Sequence, residues 1–173
     1  MKICVFCGAS KNIHPNYQHL SQKFAQYLSQ KDFTFSYGGA SVGLMGYLAD
    51  ACLKEKVHVT GIIPESLSKF EVSHTKIDKL IEVKTMHDRK AMLYGISDQF
   101  VVFPGGMGTL DEFFEILTWK QLGFHQKPIT IFNNEGYFDE LLSFFNQAIH
   151  KGFIRQTDRN LFKVASSIEG IFE

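Results

Sequence analysis

The segment Gln99-Phe100-Val101-Val102-Phe103-Pro104-Gly105-Gly106-Met107-Gly108-Thr109-Leu110-Asp111-Glu112 decides the reading of this chain. Gln99 to Phe103 is a continuous apolar run of strand length, the glycines form a turn, and Thr109 to Gln121 then carries Phe113, Ile116, Leu117 and Leu122 on one helical side. A strand that passes through glycines into a helix is either a tight structural corner or a phosphate cradle, and two such turns at one edge favour the cradle. Glycine lets the backbone approach an anion, and the first N–H groups of a helix have no internal partner. Thr109 reads as the N-cap, offering a hydroxyl and an N–H to a phosphate oxygen. Gly38-Gly39-Ala40-Ser41-Val42-Gly43-Leu44-Met45-Gly46 is a second turn of the same kind, after the strand Phe33 to Tyr37 and before a helix from Gly43 to Glu55.

Outward from these turns the same alternation continues. Ile3 to Phe6 is a strand, His14 to Gln30 a helix, Val57 to Ile63 a strand that Pro64 stops, and Leu80 to Val83 a short strand. Met86 to Ile96 and Phe138 to His150 read as helices, Pro128 to Phe132 as a strand and Leu161 to Val164 as a terminal one. Periodicity weakens from Glu65 to Lys79, which is expected to be a mobile loop. Strands that are apolar throughout and alternate with helices imply an α/β fold: a doubly wound, Rossmann-like parallel sheet with helices on both faces. Ligands of such sheets sit at the carboxyl ends of the strands, where both glycine turns fall.

At 173 residues and 45% hydrophobic, the chain is expected to be a single domain, 1–173. Eighteen basic and eighteen acidic residues cancel, so neither a nucleic-acid groove nor a polybasic membrane surface is announced, and any phosphate site must be local. Three cysteines, Cys4, Cys7 and Cys52, have no second pair at ligand spacing, and the seven histidines have no metal-binding pattern. No metal is expected, the cysteines read as buried thiols, and with no apolar leader or spanning segment a cytoplasmic location is expected.

The chemistry rests on a few side chains. Glu112 and Glu115 share a helix side and Asp111 lies about 100° from Glu112, so one acid should aim into the cleft. Acids in a first turn also complement the helix dipole, an equal reading for Asp111; Glu112, one turn in, is the better functional candidate. Met86-His87-Asp88-Arg89-Lys90 opens another helix with two cations, of which Arg89 has the fork that suits phosphate or carboxylate. The aromatic content of 14% exceeds what one small core needs, so part of it is expected at a subunit interface.

Pro104-Gly105-Gly106-Met107-Gly108-Thr109-Leu110-Asp111-Glu112, with Met86 to Lys90 upstream and Gly38-Gly39 before Val42-Gly43-Leu44-Met45-Gly46, resembles the LOG family. Its members are the cytokinin riboside 5′-monophosphate phosphoribohydrolases, long labelled possible lysine decarboxylases. The likeness extends to Val5 to Ser10, to Thr118-Trp119-Lys120-Gln121-Leu122-Gly123 and to the Lys127-Pro128 step. It implies a homodimeric enzyme that hydrolyses the N-glycosidic bond of an adenine-type nucleoside 5′-monophosphate, AMP or an N6-modified one, with no cofactor. By that resemblance Arg89 and Glu112 are the catalytic pair and Gly105, Gly106, Met107, Gly108 and Thr109 hold the phosphate. The further substrate-binding candidates it marks are Ser10, Gly38, Gly39, Met45, Lys90, Leu110, Asp111 and Thr118, with Glu65 as a substrate-contacting glutamate. Leu110-Asp111-Glu112 departs from the G-T-x-E-E of plant-like members at Asp111 and keeps Glu112. A lysine decarboxylase would need a pyridoxal site, for which the chain has no independent signal. The competing readings are a nucleotide-binding module without turnover and a phosphoribosyl-transferring enzyme.

Overall fold

The structure, a computed structural model, describes residues 1–68 and 73–173. Its strands are β1 (Lys2–Phe6), β2 (Thr34–Tyr37), β3 (Val59–Pro64), β4 (Lys79–Val83), β5 (Gln99–Val102), β6 (Ile129–Phe132) and β7 (Lys163–Ala165). The helices are α1 (Asn16–Gln30), α2 (Gly43–Lys54), α3 (Glu65–Ser68), α4 (Met86–Ile96), α5 (Met107–Gln121) and α6 (Asp139–His150). The strands make one parallel sheet in the order β4-β3-β2-β1-β5-β6-β7. β1 is therefore central, and the chain winds one way through β2 and β3 and the other way through β5, β6 and β7.

Alternation along β1 explains the two layers. Ile3 and Val5 enter a core closed by α1, α2 and the C-terminal residues Ile168 and Ile171. Cys4 and Phe6 enter a second core closed by Leu93 of α4, Phe113, Ile116 and Leu117 of α5, and Phe145 of α6. Strands buried on both faces are why the sequence reads as continuous apolar runs. The doubly wound, Rossmann-like arrangement expected from those runs is present. Among the described residues, no helix is long and apolar enough to cross a membrane.

Several boundaries differ from the sequence reading for identifiable reasons. α5 begins at Met107 with Gly106 as its cap, so Thr109 is its third residue rather than the N-cap. Leu122 falls at the C-cap of α5 and is 61% exposed, outside the core stripe. Pro64 ends β3 as its last residue; it pairs with Val83 beyond the end of β2, where its missing N–H is not needed. The stretch expected as a loop is partly ordered: Glu65–Ser68 is a helical turn, Ser73 bridges Ala40, Val59 N–H donates to Asp78 Oδ2 at 2.8 Å, and Lys79 already belongs to β4. The expectation of mobility for residues 69–72 lies outside the described residues. Toward the C-terminus a 3₁₀ helix (Gln156–Leu161) takes the chain to β7, which starts at Lys163 rather than Leu161.

The start of α4 has a sequence signal that was available in its first four residues. Thr85 Oγ1 accepts from the Asp88 N–H at 3.1 Å while Asp88 Oδ2 accepts from the Thr85 N–H at 3.0 Å, a reciprocal capping box. The start of α2 is set by packing instead. Gly43 has φ +63, and a Cβ there would stand 2.6 Å from the Ala9 carbonyl carbon and the Ser10 carbonyl oxygen. Gly43→Ala is therefore expected to destabilise the fold by at least about 1 kcal/mol, read as a lower urea midpoint, because strain and backbone contact act together.

Candidate active site

Between β1 and β5 the winding reverses, and the loops that leave these two strands diverge at the carboxyl edge of the sheet. Gly8, Ala9 and Ser10 follow β1; Pro104 to Gly108 follow β5. Gly8 N–H donates to the Pro104 carbonyl at 3.0 Å, and a Cβ on Gly105 would lie 2.7 Å from the Gly8 nitrogen and collide with Thr109 Oγ1. Only glycine fits there. Above this junction lies a cavity of about 500 Å³, within the range of small-ligand sites.

Its walls come from seven parts of the chain. Cys7, Gly8, Ala9, Ser10 and Ile13 come from the loop after β1, Tyr17 from α1, and Leu44 and Met45 from α2. Leu67 of α3 and Met86 and Arg89 of α4 close another side. Pro104, Gly105, Gly106, Gly108, Thr109, Asp111 and Glu112 form the α5 side, and Tyr137 stands beside them. The sequence-derived candidates brought together here are Ser10, Met45, Arg89, Gly105, Gly106, Gly108, Thr109, Asp111 and Glu112.

Arg89 and Glu112 form the charged centre. Arg89 Nη2 donates to Glu112 Oε1 at 3.0 Å, each residue being only 5% exposed. Arg89 Nη1 lies 3.8 Å from Met86 Sδ, and its Nε is buried without a partner among the described residues. A buried guanidinium on a cavity wall, paired with one carboxylate and with one donor left unmatched, is an unusual and costly arrangement of the kind found at functional sites. Glu112 has its pKa raised to about 7, because burial penalises its charge more than Arg89 favours it; Asp111 and Glu115 add to the rise and Lys90 opposes it. Cys7 is a neutral thiol on the cavity wall, its pKa raised by burial and then by Glu112. Thr109 is 3% exposed and packs its hydroxyl against Gly105, while a Cβ at Gly106 or Gly108 would meet no atom within 4 Å. The amino end of α5 is thus backed firmly and open in front.

The other candidates lie elsewhere. Gly38 is behind Arg89: a Cβ there would collide with Arg89 Nη2, so Gly38 makes room for the guanidinium. Gly39, at φ +81, accepts the His74 N–H at 2.9 Å and packs on Ile63 and Leu80. Lys90 turns away from the cavity to Glu115 Oε1 at 3.0 Å and Asp111 Oδ2 at 3.2 Å. Although burial disfavours its charge, those two hydrogen bonds raise its pKa. Met107 is 86% exposed, Leu110 packs toward the second core, and Thr118 donates its hydroxyl to the Phe114 carbonyl at 2.7 Å. Glu65 is exposed at the start of α3, and its neighbour Leu67 is the residue of that turn on the cavity wall. Tyr17, Tyr137, Ile13 and Leu67 carry no motif signal, since only the folded loops bring them to the mouth.

Comparison with known proteins gives the family. Residues 45–173 match a family model described as possible lysine decarboxylase. The chain is 41% identical over 160 residues to cytokinin riboside 5′-monophosphate phosphoribohydrolase LOG2 of Arabidopsis thaliana, covering 92% of this chain and 75% of that protein. LOG1 of the same plant, with the same activity in its name, is 40% identical over 166 residues, covering 96% and 78%. In fold, the chain is similar to a molybdenum cofactor binding protein from Rippkaea orientalis, with a TM-score of 0.69 and 24% identity over 98% of this chain and 91% of that one. From the buried Arg89–Glu112 pair beside a glycine cradle and from these relatives, the chain belongs to the LOG family of phosphoribohydrolases.

Proposed function

We propose that this chain hydrolyses the N-glycosidic bond of an adenine-type nucleoside 5′-monophosphate, AMP or an N6-modified AMP, releasing the free base and ribose 5-phosphate. The observation that carries the reading is the Arg89–Glu112 pair on the wall of a cavity whose other wall is the open amino end of α5. The activity for which the relatives are named, on a riboside 5′-monophosphate, is of the same class.

The 5′-phosphate lies against the turn from Gly105 to Thr109, where the helix supplies unpaired N–H groups and a favourable dipole. Leaving of the base builds positive charge on the ribose, and the Glu112 carboxylate beside it lowers the barrier. Glu112 also orients the attacking water and takes its proton as the new C–O bond to the anomeric carbon forms and the C–N bond breaks; the departing base takes a proton from solvent, and Glu112 returns its own to solvent before the next turnover. A carboxyl poised near pH 7 suits this exchange. Arg89 favours the ionised form of Glu112 against the burial that opposes it, and adds positive charge to the cavity wall. Ile13, Leu44, Leu67 and Met86 give the base an apolar surround. Asp111 belongs to the wall as the partner of Lys90, so its contribution is electrostatic. The whole chain acts as one such domain. We further propose a homodimer, supported by the exposed apolar side chains of Met107 and Phe114 on α5 and of Leu122 and Phe124 after it; sedimentation reads it directly.

Incubation with AMP, isopentenyl-AMP and adenosine, followed by separation of products, should yield free base from a monophosphate in preference to adenosine. No base from either monophosphate, or a ribosylated product in place of ribose 5-phosphate, would sink hydrolysis. Glu112→Gln is expected to keep nucleotide binding and lose about 10²–10³-fold in kcat, and wild-type kcat/KM is expected to rise as pH passes upward through about 7 and the carboxyl ionises.

The same variant has a stability signature of definite sign. A pKa raised from 4.5 to about 7 means that the folded state holds the proton more tightly than the unfolded chain. Its stabilising contribution is complete below 4.5 and disappears as pH rises through 7. Between those limits the stability of wild type should fall relative to Glu112→Gln by an amount on the order of 3 kcal/mol, measured by urea unfolding across pH.

A further inference from the structure

The loop from β6 to α6 is built around a single contact with the glycine cradle. Asn133 Oδ1 accepts the Phe138 N–H at 2.7 Å and its Nδ2 donates to Asp139 Oδ1 at 2.7 Å, clasping the two ends of the loop. Inside the clasp Glu135 and Gly136 are both left-handed, with φ of 53° and 75°. Gly136 has no alternative, since a Cβ there would lie 2.6 Å from Asp139 Oδ2. Glu135, a residue that disfavours this conformation, adopts it without any ion pair being formed among the described residues. The outcome is the position of Tyr137. Its hydroxyl donates to the Gly105 carbonyl at 2.9 Å, and its ring stands on the cavity wall although the residue is half exposed.

That bond falls on the most pliable part of the cradle. Gly105 and Gly106 are consecutive glycines, so the peptide between them has little steric resistance to rotation. The peptide is also a rigid plane in which the Gly105 carbonyl and the Gly106 N–H point in opposite directions. Fixing the oxygen fixes the N–H. Pro104 is secured from the β1 side by the Gly8 N–H and Thr109 packs behind Gly105, which leaves the Gly105 carbonyl to be held from the β6 side.

We infer that Tyr137 is a positioning residue for the phosphate of the substrate, acting through the orientation of the Gly105–Gly106 peptide. This rests on the phosphoribohydrolase reading and assigns to the β6–α6 loop the preference for a phosphorylated over a free nucleoside. Removing the hydroxyl alone separates this role from packing, because the ring, the clasp and the two left-handed residues all remain.

The test compares wild type with Tyr137→Phe, using AMP and adenosine as substrates and calorimetric binding of ribose 5-phosphate. KM for AMP is expected to rise about three- to tenfold, the range for one neutral hydrogen bond, with kcat within twofold. Ribose 5-phosphate binding should weaken by the same factor while kcat/KM for adenosine stays unchanged. An unchanged KM and an unchanged ribose 5-phosphate affinity in a folded, active variant would overturn the inference. Equal losses for AMP and adenosine would also overturn it, since they would mean a general structural role. Failure of wild type to release base from AMP would count against the reaction, and ribose 5-phosphate binding would still report separately on Tyr137.

Discussion

Arg89 and Glu112 are both almost completely withdrawn from water, and most of the carboxyl edge of the sheet is arranged around that fact. Moving two ions out of water costs more than one contact of 3.0 Å returns unless the geometry is held from outside. Gly38 holds it from behind by having no side chain where the guanidinium lies. The Thr85–Asp88 capping box starts α4 so that Arg89 falls in its first turn. Lys90, next along α4, bridges Asp111 and Glu115, the flanking acids on α5. The two helices are joined by a pair of parallel charge contacts, one buried on the cavity side and one closer to solvent. Burial keeps the proton affinity of Glu112 high against the pull of Arg89, and Asp111 and Glu115 add to it.

The arrangement depends in turn on strand order. Since β1 lies between β2 and β5, and the connections on either side of it run over opposite faces, the loops after β1 and β5 have no helix between them. They approach closely only where glycine allows it, at Gly8 and Gly105, and above that contact the space opens into the cavity. Cys7 carries β1 into this floor as a neutral thiol, so the base of the site is apolar while its charges stand on the α4 and α5 walls.

Much of this was legible in the sequence because parallel strands buried on both faces announce themselves as unbroken apolar runs, and because glycine turns at their ends mark the edge where ligands of such sheets sit. Arg89 and Glu112 were legible for the same reason: each sits one turn into a helix that starts at the functional edge. Lys90 and Asp111 share their neighbours' positions in sequence but lie about 100° around the helix, and which of two adjacent residues faces inward depends on where the helix starts. That start was misplaced for α5, since Thr109 is a good capping residue by type and Gly106 caps by backbone alone. Tyr137 was illegible for a different reason. Its place depends on two left-handed residues, of which Glu135 has no sequence preference for that conformation.

The two glycine turns, alike as strings of residues, are physically unlike. At α2 the first-turn groups are engaged by the protein: Met45 N–H donates to the Gly8 carbonyl at 3.2 Å, Gly43 abuts Ala9, and Gly46 is pressed against Ser41. Glycine there serves contact between backbones. At α5, Gly106 and Gly108 face open space, and the groups behind them, Gly8, Thr109 and Tyr137, fix the turn from the rear and the side without covering it. Anion affinity follows the unpaired N–H groups rather than the glycine count. In the proposed reaction it is therefore the α5 end that takes the negative charge of the substrate, with the α2 end shaping the wall opposite and Glu112 on the wall where the glycosidic bond is proposed to lie.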